Sequence, residues 1–562
     1  IPYGYGILEG TFYSSFSFAL DISGFLVLAG VFMALLRRKG YAKLCTGSST
    51  KEDDIILILL FFIVMTGFFV EGLRIAGTGR PEYERWSPLG YAISSLFIGF
   101  NEGMIRHLHK FLWICHMVLS CSFIALIPFT KLRHIIFVPL NIFFSSLSHQ
   151  GVLPSSFNLY VDTEEQIVKN NYPLGVNEVT GFKRWQLLSC DACTQCGECE
   201  RLCPAYQTEK PLSPREIIVK IRKLSHSRAH EPLTLINDLF SLDELSSCTT
   251  CYACAENCPV LINPLSIIIE LKRNLVFEGV FENGHAVALR RTSSEFNPNG
   301  MSPGKRTEML ELLGIEQVKE GETYDMLYWL GCSAYFDERS QDIAKAVYRV
   351  LKRSGVRVAA LGGQEKCCGD FARRVGDEGL FQRLALDNIK TIKRFGFDVV
   401  ITHCPHGFNT LKNEYPAFGA DFKIYHHSEF ITKLLKNGSI KIAQKKEMLA
   451  YHDPCYLGRY NNIYKAPREI LMRYAGSIIE FPLCKNESFC CGAGGGHMWK
   501  HKEIGIRIND QRIEQALETG VRTITTACPF CLAMFEDSLL LKGRTNVVDV
   551  RDIAELVEGA LC

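Results

Sequence analysis

The sequence lacks an excess of charge of either sign. It contains 62 lysines and arginines against 60 aspartates and glutamates, a formal net charge of +2. Because nucleic-acid-binding proteins carry a basic surface, this balance argues against nucleic acid as a partner. A flavin or nicotinamide fingerprint is also lacking, since the glycine run Gly492–Gly496 follows a cysteine pair and does not have dinucleotide-binding spacing. The sequence therefore gives no sign of a dinucleotide cofactor of its own.

A secretory signal peptide is absent as well. No basic stretch followed by a short apolar core and a small-residue cleavage site opens the sequence. The first residue is Ile1, so the numbering is expected to begin inside a longer chain.

Cysteine is abundant, but its spacing is not typical of disulfides. The sequence has 23 cysteines, nine of them in two Cys-x-x-Cys runs that each end in Cys-Pro. Such neighbours are better placed to share a metal cluster than to form a disulfide framework. Free thiolates persist in a reducing compartment, so we expect the cysteine-bearing half of the chain to face the cytoplasm.

Three long apolar runs occur in the first 150 residues, approximately Ser15–Leu36, Ile55–Ala76 and Phe111–Phe129. Each has about the 20 residues that span a hydrocarbon core, so they predict membrane helices. Pro88–Met104 is shorter and contains Gly, Ser and Asn, which favours an interfacial or re-entrant helix. The basic cluster Arg37–Lys43 places the end of the first span in the cytoplasm. The second span would then run outward and the third would return, so everything after the third span is expected in the cytoplasm.

Composition and repeats predict a multidomain fold: an α-helical transmembrane bundle, an α-helical double-cluster ferredoxin domain and two α/β cysteine-rich domains. The predicted parts are a transmembrane domain at 1–150, a linker at 151–180, the ferredoxin-like domain at 181–321, and cysteine-rich domains at 322–435 and 445–562. The last two form an internal repeat. Each has a strand-like run ending in Cys, then Cys-Cys-Gly, then a strand before Cys-Pro, with helical stretches between.

Two motifs, beginning at Cys193 and Cys248, have the Cys-x2-Cys-x2-Cys-x3-Cys-Pro spacing of bacterial ferredoxins. One loop can bind three corners of a [4Fe-4S] cubane, and the fourth cysteine reaches the other cluster. The first predicted ligand set is Cys193, Cys196, Cys199 and Cys258. The second predicted set is Cys248, Cys251, Cys254 and Cys203. Two such cubanes lie close enough to pass electrons.

The second repeat carries a complete set of five cysteines. These are Cys455, Cys490, Cys491, Cys528 and Cys531. Five thiolates exceed what one cubane or one zinc ion uses, and two adjacent cysteines must point in different directions. The set therefore predicts a larger, non-cubane cluster, which the following glycines let the backbone approach closely.

The first repeat is degenerate. It has Cys332, Cys367, Cys368 and Cys404, but Gly407 stands where the repeat predicts the fifth cysteine. Either a smaller cluster or none is expected there, so the chain would hold one or two non-cubane clusters.

These residues resemble known families. The Cys-Cys-Gly modules are similar to those of the catalytic subunit of heterodisulfide reductase, which binds non-cubane [4Fe-4S] clusters. Nearly the whole chain resembles the electron-transfer-flavoprotein:menaquinone oxidoreductase family, which joins a nitrate-reductase-gamma-like membrane domain, a double ferredoxin domain and two Cys-Cys-Gly domains. The stretches 331–339, 365–374 and 403–415 carry this resemblance, and Gly407 departs from the pattern of the complete module.

Two histidines suggest that the membrane domain is cytochrome-b-like. His116 and His134 lie 18 residues apart, about 27 Å and five turns along a helix. We expect them to face one side as axial ligands of two b-type haems, and the segment resembles the last helix of the nitrate reductase gamma subunit. The first two spans contain no histidine, so partner ligands are expected from missing upstream helices or an additional membrane subunit.

Charged groups at membrane depth are usually functional. His109, Glu71 and Arg74 lie near the outer end of the spans and are candidate quinone-site residues. Snorkelling or a loop salt bridge is the alternative.

The resemblance implies a route of electrons from reduced electron-transfer flavoprotein through iron–sulfur clusters and haems to menaquinone. The five-cysteine set would be the site where electrons enter. The protein would lie in the cytoplasmic membrane of a prokaryote, with the iron–sulfur domains facing the cytoplasm. The alternative is a quinol-driven disulfide reductase, in which the same cluster cleaves an S–S bond. A membrane redox sensor is a third interpretation, which several cofactor types in series disfavour.

Overall fold

A computed structural model describes residues 10–40, 51–145, 151–170, 172–227 and 234–562. The chain divides into two compact units. The first unit comprises residues 1–140 and 194–197, and the second comprises 141–193 and 198–562. Helices dominate the N-terminal region, and two four-stranded sheets lie in the C-terminal half. This architecture confirms the predicted fold class.

The N-terminal region is helical. Its helices are α1 (Gly10–Gly40), α2 (Lys51–Gly77), α3 (Pro88–Ser94), α4 (Glu102–Leu126) and α5 (His134–Phe143). α1, α2 and α4 are long and apolar enough to cross a membrane, which confirms the three predicted spans. The short α3 packs against α2, where a Cβ at Gly72 would lie 2.6 Å from Ile93 Cγ2. The weak run at 88–104 therefore does not span.

The three long helices run alternately up and down. At one end, Lys131 Nζ lies 3.1 Å from Asp53 Oδ2, so the start of α2 meets the segment after α4. At the other end, Tyr13 near the start of α1 contacts Glu84 in the segment that follows α2. The orientation prediction depends on the basic cluster 37–43, of which residues 41–43 lie outside the described residues.

One sequence-based expectation about this region is wrong. The chain from His116 to His134 is not a continuous helix, because α4 ends at Leu126 and two short 3-10 turns precede α5. Pro128 lies in the first turn and has no N–H for a helical hydrogen bond. Thr130 then caps the second turn by accepting from Leu132 N at 3.3 Å. The five-turn argument for a shared face therefore does not hold.

The second unit begins with a helical region. Its helices are α6 (Glu164–Lys169), α7 (Arg184–Asp191), α8 (Glu198–Arg201), α9 (Pro204–Gln207), α10 (Pro214–Ser225), α11 (Leu235–Asp238), α12 (Leu242–Ser246), α13 (Ala253–Glu256), α14 (Pro264–Phe277), α15 (Asn283–Glu295) and α16 (Pro303–Leu313). This agrees with the predicted α-helical ferredoxin domain.

The segment predicted as a linker, 151–180, is packed. Phe157 is buried, and its carbonyl accepts from Gln382 Nε2 at 3.0 Å. Arg373 Nη2 donates to Leu153 O at 2.8 Å, and Asn409 Nδ2 donates to Gly151 O at 3.0 Å. The residues that donate these hydrogen bonds lie more than 200 positions away in the chain. Composition alone could not reveal this packing and therefore suggests a linker.

Two α/β modules complete the second unit. The first contains β1 (Met326–Trp329), α17 (Gly331–Phe336), α18 (Glu338–Arg353), β2 (Val358–Ala359), α19 (Asp370–Val375), α20 (Glu378–Arg394), β3 (Val399–Thr402), α21 (Pro405–Asn409), β4 (Lys423–His426) and α22 (His427–Lys436). The second contains β5 (Leu449–Tyr451), α23 (Lys465–Ala475), β6 (Ile479–Glu480), α24 (Ile508–Glu518), β7 (Thr523–Thr526), α25 (Pro529–Leu541), β8 (Asp549–Asp552) and α26 (Ile553–Glu558).

The two sheets confirm the internal repeat. Their strand orders are β2-β1-β3-β4 and β6-β5-β7-β8, and all pairs are parallel. The modules share one hydrophobic core. They are also joined where β4 and β8 end, because His427 Nε2 lies 3.0 Å from Asp552 Oδ1 with both side chains fully buried.

A buried ion-pair cluster joins the helical region to the first module. Glu378 Oε2 accepts from Arg273 Nη2 at 2.8 Å and from Arg373 Nε at 3.1 Å. All three side chains are at most 4% exposed. Removal of one partner of such a cluster leaves uncompensated charge in the interior.

We expect Glu378→Ala to lower the free energy of unfolding of the second unit by about 3–5 kcal/mol, because two buried guanidinium groups lose a carboxylate. Urea unfolding of the detergent-purified protein, followed by far-ultraviolet circular dichroism, measures it. Glu322→Ala removes an exposed carboxylate that pairs with Lys319 and Arg357 and should cost about 1 kcal/mol or less. Equal losses in the two variants would contradict the assigned role of Glu378.

Candidate metal centre

Both modules place cysteines at the carboxyl ends of their two central strands. β1 and β3 end shortly before Cys332 and Cys404, and β5 and β7 end shortly before Cys455 and Cys528. Parallel strands bring their carboxyl ends to one edge of a sheet, where open α/β folds form ligand sites. The Cys-Cys-Gly loop follows the outer strand, β2 or β6, and reaches the same edge.

The five cysteines of the second module form one continuous group of thiols. Cys490 is in hydrogen-bond contact with Cys455 and Cys491, and Cys531 is in contact with Cys491 and Cys528. Each is at most 7% exposed, and none is in a disulfide. Five buried free thiols fit a sulfur-bound cluster larger than a tetrahedral ion site. The structure thus brings together every member of this predicted set.

The glycine of each Cys-Cys-Gly motif turns the backbone toward the first cysteine. Gly369 (φ 86°) and Gly492 (φ 94°) are left-handed, a conformation that glycine adopts readily. Their amides donate to Cys367 Sγ at 3.4 Å and Cys490 Sγ at 3.3 Å. Hydrogen bonds to sulfur tune iron–sulfur potentials, so the motif supplies a ligand and a hydrogen bond to it.

A histidine from the first module reaches the cysteines of the second. His406 Nδ1 lies 2.9 Å from Asp370 Oδ2, and the ring stacks on Tyr456 with centroids 4.0 Å apart. Burial alone would lower the pKa of His406, but hydrogen bonds to Asp370 and Cys528 raise it to about 10. Burial alone would raise the pKa of Cys528, but hydrogen bonds from Cys531 and His406 lower it to about 5. A lowered pKa favours the thiolate, the form that binds metal.

Three of the four predicted cysteines of the first module interact with one another. Cys367 is in hydrogen-bond contact with Cys332 and Cys368. Cys404 instead interacts with Cys528 of the second module.

All four cysteines of the first module line a cavity between the two modules, with an empty volume of about 640 Å³. Two buried donors on its wall, Trp329 Nε1 and Arg374 Nη1, have no hydrogen-bond partner among the described residues. Unsatisfied buried donors are costly. The cavity therefore suits an anionic or sulfur-bearing occupant.

The two ferredoxin-type loops follow the same backbone path. The second and fourth residues after the first cysteine are left-handed in both, namely Gln195 (φ 57°) and Gly197 (φ 84°), and Thr250 (φ 53°) and Tyr252 (φ 66°). Residues other than glycine adopt this conformation only where the surroundings impose it. The shared pattern is that of loops shaped to wrap around similar groups.

The second predicted ferredoxin set is assembled in the structure. Cys203, Cys248, Cys251 and Cys254 line one mainly apolar cavity with an empty volume of about 340 Å³. Cys203 comes from the first motif, as an exchange of the fourth cysteine requires. In the first set, Cys196 is exposed and Cys193, Cys199 and Cys258 are half-buried. The grouping of that first set stays a prediction.

The second ferredoxin-type loop and the second module meet at their cysteines. The thiols of Cys251 and Cys490 are in hydrogen-bond contact. Arg459 Nε donates to Cys251 O at 2.7 Å, and Tyr460 OH donates to Thr250 O at 2.7 Å. Two predicted ligand sets therefore touch through their own sulfur atoms.

The glycine run 492–496 makes this junction close. A Cβ at Gly494 would lie 2.3 Å from Thr249 O, and one at Gly495 would lie 2.1 Å from Cys248 O. Any side chain there would force the loops apart. The sequence predicts that these glycines approach the cluster, and the structure shows that Gly494 and Gly495 approach the ferredoxin-type loop.

Both candidate haem histidines keep one ring nitrogen available. His116 Nδ1 lies 3.0 Å from Thr66 Oγ1, whose hydroxyl donates to Phe62 O at 2.8 Å and so accepts the histidine proton. His134 Nδ1 lies 2.5 Å from Lys131 O, which can only accept. Both rings therefore present an Nε2 lone pair, as metal-ligating histidines do. These observations fit axial ligation, and the haem assignment stays a prediction.

The predicted quinone-site residues lie at or beside an ion pair between the half-buried Arg74 and the buried Glu84. Arg74 Nη1 and Nη2 donate to the two Glu84 carboxylate oxygens at 2.5 and 2.9 Å, and Tyr13 OH donates to Glu84 Oε1 at 3.0 Å. Glu71 Oε1 is 3.9 Å from Arg74 Nη2, and His109 is half-buried on α4. Arg74 thus forms the loop salt bridge that the sequence leaves as an alternative, and the quinone role stays a prediction.

Sequence reasoning missed His406 and Arg459. His406 occupies the repeat position of Phe530, and a polar residue at an apolar repeat position is a signal that could have indicated it. Arg459 gives no such signal, because its partner Cys251 is 208 residues away in the chain.

Three known families match the chain. Residues 8–149 match the nitrate reductase gamma subunit, residues 189–262 match the 4Fe-4S dicluster domain, and residues 326–412 and 449–536 match the cysteine-rich CCG domain. The matched regions follow the order of the predicted domains, and with the three membrane-length helices they identify a membrane protein that carries iron–sulfur domains.

Similar proteins extend over the whole chain. EtfAB:quinone oxidoreductase from Syntrophomonas wolfei is 34% identical over 99% of this chain and 83% of its own length. The probable iron-sulfur-binding oxidoreductase FadF from Bacillus subtilis is 32% identical over 99% and 84%. A component of the dihydromethanophenazine:CoB–CoM heterodisulfide reductase from Methanosarcina barkeri is 31% identical over 67% of this chain and 95% of its own length.

We expect Gly495→Ala to destabilise the second unit by about 2–5 kcal/mol, because a methyl group adds backbone strain and a clash with Cys248 O. Thermal unfolding and the electron paramagnetic resonance (EPR) signals of the ferredoxin-type clusters measure the change. Gly520→Ala is the matched control, since Gly520 has a similar φ of 72° but nothing within 4 Å of its Cβ position. Equal effects of the two substitutions would show that strain alone, and not the junction, is responsible.

Proposed function

Because this chain belongs to the family of iron–sulfur oxidoreductases that includes EtfAB:quinone oxidoreductase, we propose that it passes electrons from reduced electron-transfer flavoprotein to menaquinone. The name of the relative from Syntrophomonas wolfei supports the flavoprotein and the quinone as partners. Menaquinone as the quinone comes from the family resemblance of the sequence.

The contact between Cys251 and Cys490 carries this proposal. A relay requires that adjacent redox sites lie close together and away from water. Here two buried ligand sets touch, and Arg459 and Tyr460 fix the ferredoxin-type loop against the second module. This arrangement supports one-electron transfer between the two sets.

The cysteines would hold the redox groups. We propose two [4Fe-4S] cubanes on the two ferredoxin-type sets and a non-cubane [4Fe-4S] cluster on the five thiols of the second module, where electrons enter. When bound, these clusters supply one-electron redox chemistry. The four cysteines of the first module are proposed as a second, smaller cluster site, supported by the cavity and its two unpartnered donors.

The membrane domain would complete the route. We propose that His116 and His134 bind two b-type haems through Nε2, with the second axial ligands from another helix, since residues 1–106 contain no histidine. The quinone would bind beside Glu71, Arg74 and His109, near the outer end of the spans. The cysteine-bearing unit would then face the cytoplasm, consistent with its free thiols.

Disulfide reduction is the second candidate function, with electrons drawn from quinol. The similarity to the heterodisulfide reductase component from Methanosarcina barkeri supports it, as does a cavity lined by thiols between the two modules. Thiol release from a small organic disulfide by quinol-reduced protein would favour this function.

The deciding experiment mixes the purified full chain with reduced electron-transfer flavoprotein and a menaquinone analogue while the haem absorption bands are followed. We expect haem reduction followed by quinone reduction. Cys491→Ser should abolish this turnover and the EPR signal of the second-module cluster, and leave the ferredoxin-type signals in place.

Cys484→Ser is the matched control, because Cys484 is a half-buried cysteine of the same module outside the five-thiol group. It should retain turnover. Absence of haem reduction in the unmodified protein would exclude the flavoprotein-to-menaquinone route.

We expect His116→Leu to remove one of the two b haems, because the ring would supply the axial Nε2. Haem content by the pyridine haemochrome assay measures the loss. His107→Leu lies on the same helix with an exposed side chain and should keep both haems. Unchanged haem content in His116→Leu would refute the assignment.

A further inference from the structure

His452 lies next to the thiols of the second module and has no role in the five-cysteine set. It follows β5 directly and is 1% exposed. One of its ring nitrogens lies within 4.8 Å of both Cys491 Sγ and Cys531 Sγ. By distance and residue type alone, this triplet has the character of a metal site with a histidine ligand.

Arg512 rules out that ligand role. Arg512 Nε lies 3.3 Å from His452 Nδ1, and a guanidinium group can only donate. Nδ1 therefore accepts, the ring is neutral, and its proton lies on Nε2. Arg512 is itself fixed, because Nη1 donates to Gln515 Oε1 at 2.7 Å and Nη2 donates to Leu483 O at 3.1 Å.

The resulting tautomer is the opposite of that found at the membrane histidines. His116 and His134 donate from Nδ1 and leave a lone pair on Nε2, whereas His452 has a hydrogen on Nε2. This Nε2–H is buried and has no hydrogen-bond partner among the described residues. An unsatisfied buried donor is costly, so an acceptor is expected next to it, and Cys491 Sγ and Cys531 Sγ lie within 4.8 Å of a nitrogen of the same ring.

The repeat places a buried ring N–H donor at this strand position in both modules. β1 pairs with β3 and β5 pairs with β7 in the same register relative to Cys404 and Cys528, which makes Trp329 the equivalent of His452 and Gly407 the equivalent of Cys531. A Cβ at Gly407 would lie 3.8 Å from Trp329. The same position at the strand end therefore faces the same helix position in both modules, as His/Cys in the complete module and as Trp/Gly in the degenerate one.

We propose that His452 is a positioning residue that donates an Nε2–H hydrogen bond to sulfur of the second-module cluster, with Arg512 holding the tautomer. The proposal rests on the cluster proposed for the five thiols. Hydrogen bonds to sulfur stabilise the more negative, reduced state and so raise the reduction potential. His452 would thus make this cluster a better electron acceptor at the point where electrons enter.

The test is a redox titration of the purified full-length protein, followed by the EPR signal of the second-module cluster. His452→Leu removes the donor and should shift the midpoint potential to more negative values. His452→Gln keeps an N–H donor and should restore most of the shift. The midpoints of the ferredoxin-type clusters should stay unchanged in both variants. His501→Gln is the control for a histidine with an exposed side chain.

Pulsed EPR separates a donor from a ligand. After exchange into deuterated water, the second-module signal should show a deuterium coupling that His452→Leu loses. Arg512→Met should weaken that coupling, because Nδ1 is then free to take the proton.

Three outcomes would overturn the proposal: an unchanged midpoint in His452→Leu, a strong nitrogen coupling of a directly bound histidine in the unmodified protein, or a cluster lost from both His452→Leu and His452→Gln. Absence of a second-module signal in the unmodified protein would instead remove the proposed cluster itself. Failure of this inference and failure of the proposed function are therefore distinguishable.

Discussion

The thiol contact between Cys251 and Cys490 is the constraint on which the second unit depends. At this junction the loop opposite the ferredoxin-type loop can tolerate no side chain at its closest approach, at Gly494 and Gly495. Buried hydrogen bonds from Arg459 and Tyr460 hold the loops together. Glycine is required on one side of the junction because the two backbones approach so closely there.

The two modules show how a repeat can keep its fold and divide its chemistry. Strand order and pairing are the same in both, so the backbone offers the same cysteine positions twice. Only one copy retains the fifth thiol, while the other places His406 against Cys528 of its neighbour. The degenerate module thus contributes a side chain to the site of the complete module, and its own cysteines face the cavity between them.

Three histidines of this chain differ in the hydrogen-bond partner of Nδ1. A carbonyl or hydroxyl acceptor at Nδ1 leaves a lone pair on Nε2 of His116 and His134. A guanidinium donor at Nδ1 prepares His452 to donate. The residue type is the same in each case, and the second hydrogen bond decides which chemistry the ring supports.

The sequence by itself determined the order of the matched regions, three helices long enough to cross a membrane, the repeat and the cysteine motifs, because these depend on local spacing and apolar run length. It did not determine that the helix is interrupted near Pro128, between His116 and His134, or that residues 151–180 pack against the first module. Nor did it reveal the partners of Arg459 or His452. Those outcomes depend on contacts between residues far apart in the chain, and only the tertiary structure decides which buried donor meets which acceptor.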